Sequence, residues 1–256
     1  MTIRRRLPLF FVSLAFAFAA LLSAAPLLAQ DATPAPGVTV LPPDAEVEGL
    51  GVDDWLVRSW QLAVSYPNDV SPWLDETGDR CGYGQAGSVF ILPGTFLPEP
   101  PDEVTCVVAE GLTIYVPVGS AECSTVEPPP FFGRDEAELL ACAEAFVLPV
   151  ADIGLEATIN GTPVADLEQY RAATSLFPMT FPEINAFGVP AGVANAVAVG
   201  YGFFLAPLPV GEHEIRFSTA ALGPDGTSLP DFVFRVVVAE PTIIEPVATP
   251  EASPAA

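Results

Sequence analysis

The stretch VANAVAVGYGFFLA, residues 193–206, decides the fold class of this chain. From Val197 onward larger side chains occupy every second position, and the small residues Ala198, Gly200 and Gly202 lie between them. A period of two indicates a β-strand, because successive side chains of a strand point to opposite faces of the sheet. The larger set is predicted to face a core: Val197, Val199, Tyr201, Phe203 and Leu205.

The same alternation recurs elsewhere in the chain. Residues 212–219 and 231–239 alternate clearly, and Asn160-Gly161 lies between two short runs as a strong type I′ hairpin signal. Further strands are predicted at 87–92, 103–108, 112–118 and 153–159. Short strands separated by Gly- and Pro-containing turns favour a mainly β protein, an antiparallel β-sandwich of the jelly-roll or immunoglobulin-like (Ig-like) type.

Two segments have the period of a helix instead. Residues 52–65 carry apolar side chains at helical spacing, with two aspartates in the first turn, where the helix dipole favours negative charge. Residues 135–147 begin with Asp135 and Glu138 in the spacing of a capping box. The sandwich is therefore predicted to carry an N-terminal amphipathic helix and one helical insertion.

Segments of biased composition flank this body. Residues 1–29 have the basic start, apolar centre and small-residue exit of a secretory signal peptide, cleaved after Ala29, and an uncleaved membrane anchor is the alternative. Residues 30–49 and 241–256 are rich in Pro and Ala, which is typical of extended linkers and tails. A single domain is predicted at 50–240, with no integral membrane segment in the mature protein.

The charge balance is strongly acidic. The chain has 32 acidic residues and nine basic ones, all of them arginine, for a formal net charge of −23. Such a surface repels phosphate groups, so the composition excludes a nucleic-acid-binding protein and disfavours docking on an anionic membrane. We expect a secreted protein, extracellular or in the cell envelope, with a polysaccharide or a protein as its partner.

Four cysteines follow the predicted signal peptide. An even number in an exported chain predicts two disulfides. Sequential pairing, Cys81 with Cys106 and Cys123 with Cys142, would close two local loops, and nested or crossed pairings are the alternatives. The spacings contain no CxxC pair, which argues against a zinc site and against a redox-active dithiol.

The segment from Trp55 to Cys106 and the later GEHEIRF run, residues 211–217, combine unusual motifs. Together they resemble a family of secreted prokaryotic proteins that share a tryptophan-rich helix, a DETGxxC segment, a GQxGxV strand and a late GEHxIxF strand. The resemblance spans roughly residues 50–239. It implies a folded, exported body and no particular activity.

An acidic cluster is the first candidate site. Asp75, Glu76 and Asp79 precede Gln85 in a Gly-containing loop, and carboxylates in such loops ligate calcium through oxygen. The loop lacks the ligand spacing of an EF-hand. The alternatives are a turn in which the carboxylates cap backbone N–H groups, or a site for another ligand or for catalysis. No cofactor is expected, apart from possible calcium at this cluster.

Aromatic residues give a second candidate. Phe131 and Phe132 follow three prolines, and an exposed position would let them stack on sugar rings or contact a protein. The alternative is that they pack in the core. Core packing is the expectation for the tryptophans near the predicted N-terminal helix: Trp55, Trp60 and Trp73.

The only histidine, His213, alternates with Ile215 and Phe217, which places it on the packed face of a strand. It is therefore expected to be a structural residue more than a general base. The sequence favours a non-enzymatic binding or envelope-associated protein. The alternative is an exported, carboxylate-dependent hydrolase acting on polysaccharide or ester, although no spacing singles out a catalytic pair among the acids.

Overall fold

The computed structural model describes residues 37–97, 99–147, 149–218 and 231–240. The predicted signal peptide and the predicted tail at 241–256 lie outside these ranges. Within them the chain forms ten strands, numbered below in chain order, in two five-stranded sheets. The prediction of a mainly β protein with a sandwich of two sheets is confirmed.

Sheet 1 is built around its longest strand. Its order is β1 (Val89–Ile91), β3 (Thr113–Ser124) and β8 (Gly192–Leu205). The far edge of β8 pairs with two short strands in succession, β6 (Arg171–Ala173) and β7 (Phe177–Phe181). The last two strands were not predicted from the sequence.

Sheet 2 has the order β2 (Glu103–Ala109), β10 (Phe232–Ala239), β9 (Gly211–Ser218), β4 (Glu156–Ile159) and β5 (Thr162–Pro163). The turn between β4 and β5 is the Asn160-Gly161 pair, in which both residues have positive φ. The hairpin signal was therefore correct.

Each sheet contains one parallel pair. β1 runs parallel to β3, and β2 runs parallel to β10, whereas the other pairs are antiparallel. The sandwich is thus mixed, and the all-antiparallel detail of the prediction is wrong. Parallel neighbours require long connections, and here the chain crosses to the other sheet between the paired strands.

The two predicted helices are present as α1 (Val52–Val64) and α2 (Glu136–Phe146), and a short α3 (Val150–Ile153) follows. The Asp135 carboxylate accepts a hydrogen bond from the Glu138 N–H at 3.0 Å and so caps α2. Local capping therefore explains where this helix begins.

Strand β8 is buried on both faces along most of its length. One face packs against sheet 2 and α2, and the other face packs against α1. A Cβ at Gly202 would lie 2.4 Å from the Tyr115 hydroxyl oxygen, so only glycine lets that buried ring approach the strand. The small residues of the alternation face a second layer of protein, and the strand is central to the molecule.

Both disulfides have the sequential pairing. Cys81–Cys106 joins the loop before β1 to β2, with its Cα atoms 5.6 Å apart. Cys123–Cys142 joins β3 to α2, with its Cα atoms 6.1 Å apart. Each bridge therefore fastens a peripheral segment to a sheet, and together they indicate an oxidising, extracellular environment.

The described part of the predicted linker, residues 37–49, runs against the body. Val40 forms an isolated bridge with Leu205, next to a hydrogen bond from the Leu41 N–H to the Phe204 carbonyl at 2.8 Å. The Glu48 carboxylate accepts hydrogen bonds from the N–H and hydroxyl of Ser88. This segment contributes contacts to sheet 1 before α1 begins.

Candidate functional site

Asp75 caps the turn that follows it. One carboxylate oxygen accepts hydrogen bonds from the Thr77 N–H at 3.1 Å and the Thr77 hydroxyl at 2.8 Å, and the other accepts from the Arg80 N–H at 2.7 Å. Burial would raise the pKa of Asp75, but these hydrogen bonds outweigh it and hold the pKa below its usual range. The carboxylate is occupied within its own turn.

The rest of the acidic cluster does not converge with Asp75 on a ligand. Glu76 and Asp79 are exposed. Gln85 is used structurally, since its amide donates to the Cys81 and Ile91 carbonyls and accepts from the Ile91 N–H. Among the described residues, no three His, Cys, Asp or Glu side chains are grouped as a metal site requires.

The candidate aromatic patch lies at the surface. Phe131 is 38% exposed and Phe132 is 42% exposed. The Phe131 ring stacks on Phe146 of α2, which is 44% exposed, with ring centroids 4.6 Å apart. The stacked Phe131 and Phe146 rings form a small apolar surface, and a hydrogen bond from the Ser124 N–H to the Phe131 carbonyl ties it to the end of β3.

His213 is buried between neutral partners. Its Nδ1 lies 3.1 Å from the Asn160 amide nitrogen, and its Nε2 lies 2.8 Å from the Pro209 carbonyl. Both ring nitrogens are therefore satisfied by a hairpin turn and a backbone carbonyl. The ring fixes the position of the β4–β5 turn on β9 and has no free nitrogen to act as a base.

A cavity of about 430 Å³ lies where α1, residues 94–96, Pro100 and the adjoining ends of β9 and β10 meet β3. Sequence reasoning missed it, because its walls come from separate segments of the chain. Six aromatic side chains line it: Trp60, Trp73, Phe96, Phe217, Phe232 and Phe234.

The aromatic residues of the cavity form two groups. Phe96 stacks with both Trp60 and Trp73, at centroid distances of 5.9 and 6.4 Å. On sheet 2, Phe234 contacts the edges of Phe217 and Phe232, at 6.1 and 4.7 Å. A hydrogen bond from the Phe96 N–H to the Trp73 carbonyl at 2.8 Å fixes the first group. The rings support one another, so much of the wall is formed before any ligand binds.

The cavity is electrically neutral in a strongly acidic protein. None of the described residues that line it is charged, and its side-chain polar groups are indole N–H groups and the hydroxyls of Ser59, Thr95, Ser120 and Ser218. Among the described lining residues there is no carboxylate, imidazole or amine that would activate these hydroxyls as nucleophiles. This arrangement is suited to binding.

One side of the cavity is an unpaired stretch of strand. Strand β3 pairs with β1 over Thr113–Tyr115, and among the residues that the structure describes the next β-bridge on that side joins Ser124 to Phe132. Between these points the strand has a register shift between Pro117 and Gly119, at the cavity wall. Backbone groups at an unpaired edge are free to bond a ligand.

A second cavity, of about 560 Å³, lies beside α3 and is lined in part by Glu156, Asp166 and Glu168. The Glu168 carboxylate accepts hydrogen bonds from the Val150 N–H at 2.8 Å and from the Tyr201 hydroxyl at 3.3 Å. That acid is engaged in holding α3 against sheet 1, whereas Glu156 and Asp166 are exposed at the rim of the cavity.

Within the part of the chain that the structure describes, no helix has both the length and the apolar character needed to cross a bilayer. Comparison with known proteins gives no assignment: no family model, no curated protein and no solved structure matches this chain.

Proposed function

We propose that this protein is a secreted, non-enzymatic binding protein whose ligand is an uncharged, mainly apolar small molecule held in the neutral aromatic cavity. The observation that carries the proposal is the contrast between 32 acidic residues in the chain and a cavity wall whose described residues include six aromatic rings and no charged side chain. A volume of about 430 Å³ falls in the range of ordinary small-molecule sites.

The chemistry of the wall favours an apolar ligand over a polysaccharide. Sugars present many hydroxyl groups, and each buried hydroxyl needs a hydrogen-bond partner. The cavity offers four side-chain hydroxyls and no carboxylate or carboxamide among its described residues. A molecule with a flat apolar face and one or two polar atoms is matched better by stacked rings and an open strand edge.

The hydrolase alternative has no specific support. Asp75 is engaged in its turn, and neither Glu76 nor Asp79 lines either of the two cavities described above. The neutral cavity supplies no pair of carboxylates for glycoside hydrolysis. Binding without turnover accounts for the arrangement with fewer assumptions.

The test uses a neutral apolar fluorophore, N-phenyl-1-naphthylamine, titrated into the oxidised protein. We expect a saturable rise in probe fluorescence, excited by energy transfer from tryptophan, because Trp60 and Trp73 line the cavity. Gly119→Leu is expected to weaken binding by about tenfold or more, since a Cβ at Gly119 meets open space at the cavity wall and a larger side chain competes with the probe.

Gly82→Leu is the matched control. A Cβ at Gly82 also meets no atom within 4 Å, but this residue is not part of the cavity wall. It should leave probe affinity unchanged. Absence of saturable binding to the parent protein, or equal loss in the two variants, would contradict the proposal. If polysaccharide raised the melting temperature of the protein and apolar compounds did not, the ligand would be a polysaccharide and not an apolar molecule.

A further inference from the structure

Glu122 of β3 is a buried acid without a basic partner. Its side chain is 3% exposed, and neither carboxyl oxygen has a hydrogen-bond donor in the described part of the chain. It pairs across the sheet with Ala198 of β8, which belongs to the apolar cluster under α1. Burial of Glu122 was not predicted, because the predicted strand stopped at residue 118.

A second buried acid, Glu127, is held at Ser124, which lies two residues along β3 from Glu122 and therefore on the same face of the strand. Glu127 is 7% exposed and lies in the segment that follows β3. Its Oε2 accepts a hydrogen bond from the Ser124 hydroxyl at 2.8 Å, and its N–H donates to the same hydroxyl oxygen at 3.3 Å. Glu127 therefore has a donor suited to a carboxylate, whereas Glu122 has none.

Within the described ranges, no basic side chain pairs with either of these two acids. The residues of β8 and α1 on this face are apolar or uncharged, among them Ala196, Leu56 and Trp60. Arg58 of α1 lies over Trp55 and pairs with Glu48, while Asp53 and Asp54 at the start of α1 are exposed. Glu183, beyond β7, is exposed, and Arg134, after the 125–133 segment, pairs with Glu138.

We propose that Glu122 and Glu127 share one proton, and that this shared proton locks the 125–133 segment onto β3. In the locked state Glu122 is the neutral acid and donates its O–H to the Glu127 carboxylate, which also receives the Ser124 hydroxyl. The lock is reinforced by backbone hydrogen bonds from Ser124 N–H to the Phe131 carbonyl and from Gly133 N–H to the Ser124 carbonyl. Loss of the proton places two carboxylates together in an apolar site and releases the segment that carries Phe131 and Phe132.

The direction of the pH effect follows from burial. Burial raises the pKa of Glu122, and the neighbouring Glu127 carboxyl raises it further. Burial also raises the pKa of Glu127, although its bonds to Glu122 and Ser124 oppose the change. An acid with a raised pKa in the folded state stabilises the fold fully below its ordinary pKa, and this contribution is lost as pH rises through the folded-state value.

The test compares the melting temperature of the full chain between pH 5 and pH 9 with that of Glu122→Gln. Glutamine keeps the neutral state and can donate an N–H to Glu127 at every pH. We expect the parent protein to lose stability as pH rises, and Glu122→Gln to lose less and to melt at a higher temperature than the parent at pH 9. Glu110→Gln, at an exposed position, should follow the parent curve.

Hydrogen exchange, corrected for intrinsic rates, reports on the segment itself. Peptides covering 125–133 should lose protection at pH 9 in the parent and retain it in Glu122→Gln. The proposal would be overturned if Glu122→Gln melted below the parent at every pH and its melting temperature changed with pH as steeply as that of the parent. So would a melting temperature raised by calcium and lowered by EDTA in the parent but not in the variant, because the pair would then hold a cation.

Discussion

Removing the Cys81–Cys106 disulfide is expected to lower the free energy of unfolding by about 3–4 kcal/mol, because the bridge closes a loop of 25 residues and its loss frees the unfolded chain. Both sulfur-bearing residues are buried, Cys106 within the cluster between the two sheets. Urea unfolding of Cys81→Ala/Cys106→Ala, with the parent protein in parallel, measures the loss.

The second bridge provides the comparison. Cys123→Ala/Cys142→Ala opens a loop of 19 residues and is expected to cost about 3 kcal/mol. Reductant should lower the urea midpoint of each double variant by less than it lowers that of the parent, because each variant has only one bridge left to be reduced. An unchanged urea midpoint for the parent in reductant would contradict the argument, and free thiols in the purified protein would also contradict an oxidising compartment.

Gly78→Ala is expected to destabilise the fold by about 2–4 kcal/mol, for two reasons that act together. Gly78 has φ +89°, which an alanine adopts only with strain, and a Cβ there would lie 2.1 Å from the Thr105 carbonyl oxygen of β2. The 75–81 loop would have to move away from the edge of sheet 2. Thermal and urea unfolding should both report the loss.

Gly111→Ala separates the two causes. Gly111 has nearly the same backbone angle, φ +87°, but a Cβ there meets no atom within 4 Å. It should cost only about 1 kcal/mol, the strain alone. Equal costs at the two positions would show that contact with β2 contributes nothing and that the loop is not fitted against the sheet as described.

Local signals in the sequence predicted local structure well. Asp135 and Glu138 located the start of α2, and Asn160-Gly161 located a hairpin, because capping and turn chemistry act within a few residues. The alternation from Val197 to Leu205 identified the central strand. It did not reveal that both faces are buried, since alanine and glycine are small enough to face either solvent or a close neighbour.

The missed features depend on distant partners. Strand β3 continues past Gly119 because a bulge keeps it paired with β8, although Gly-Ser at that point is typical of a turn. Strand β7 contains Pro178, which is tolerated because in the described structure this short strand has a paired neighbour, β8, on one side alone. The burial of Glu122 and the existence of the cavity were missed for the same reason. Both depend on how distant segments of the chain pack together.

The position of β10 has a consequence for how the molecule is made. This late strand is the central one of the three strands β2, β10 and β9, and its Arg235–Glu103 ion pair spans 132 residues of sequence. Sheet 2 therefore cannot be completed until almost the whole body has been synthesised, and such long-range pairing makes folding slow.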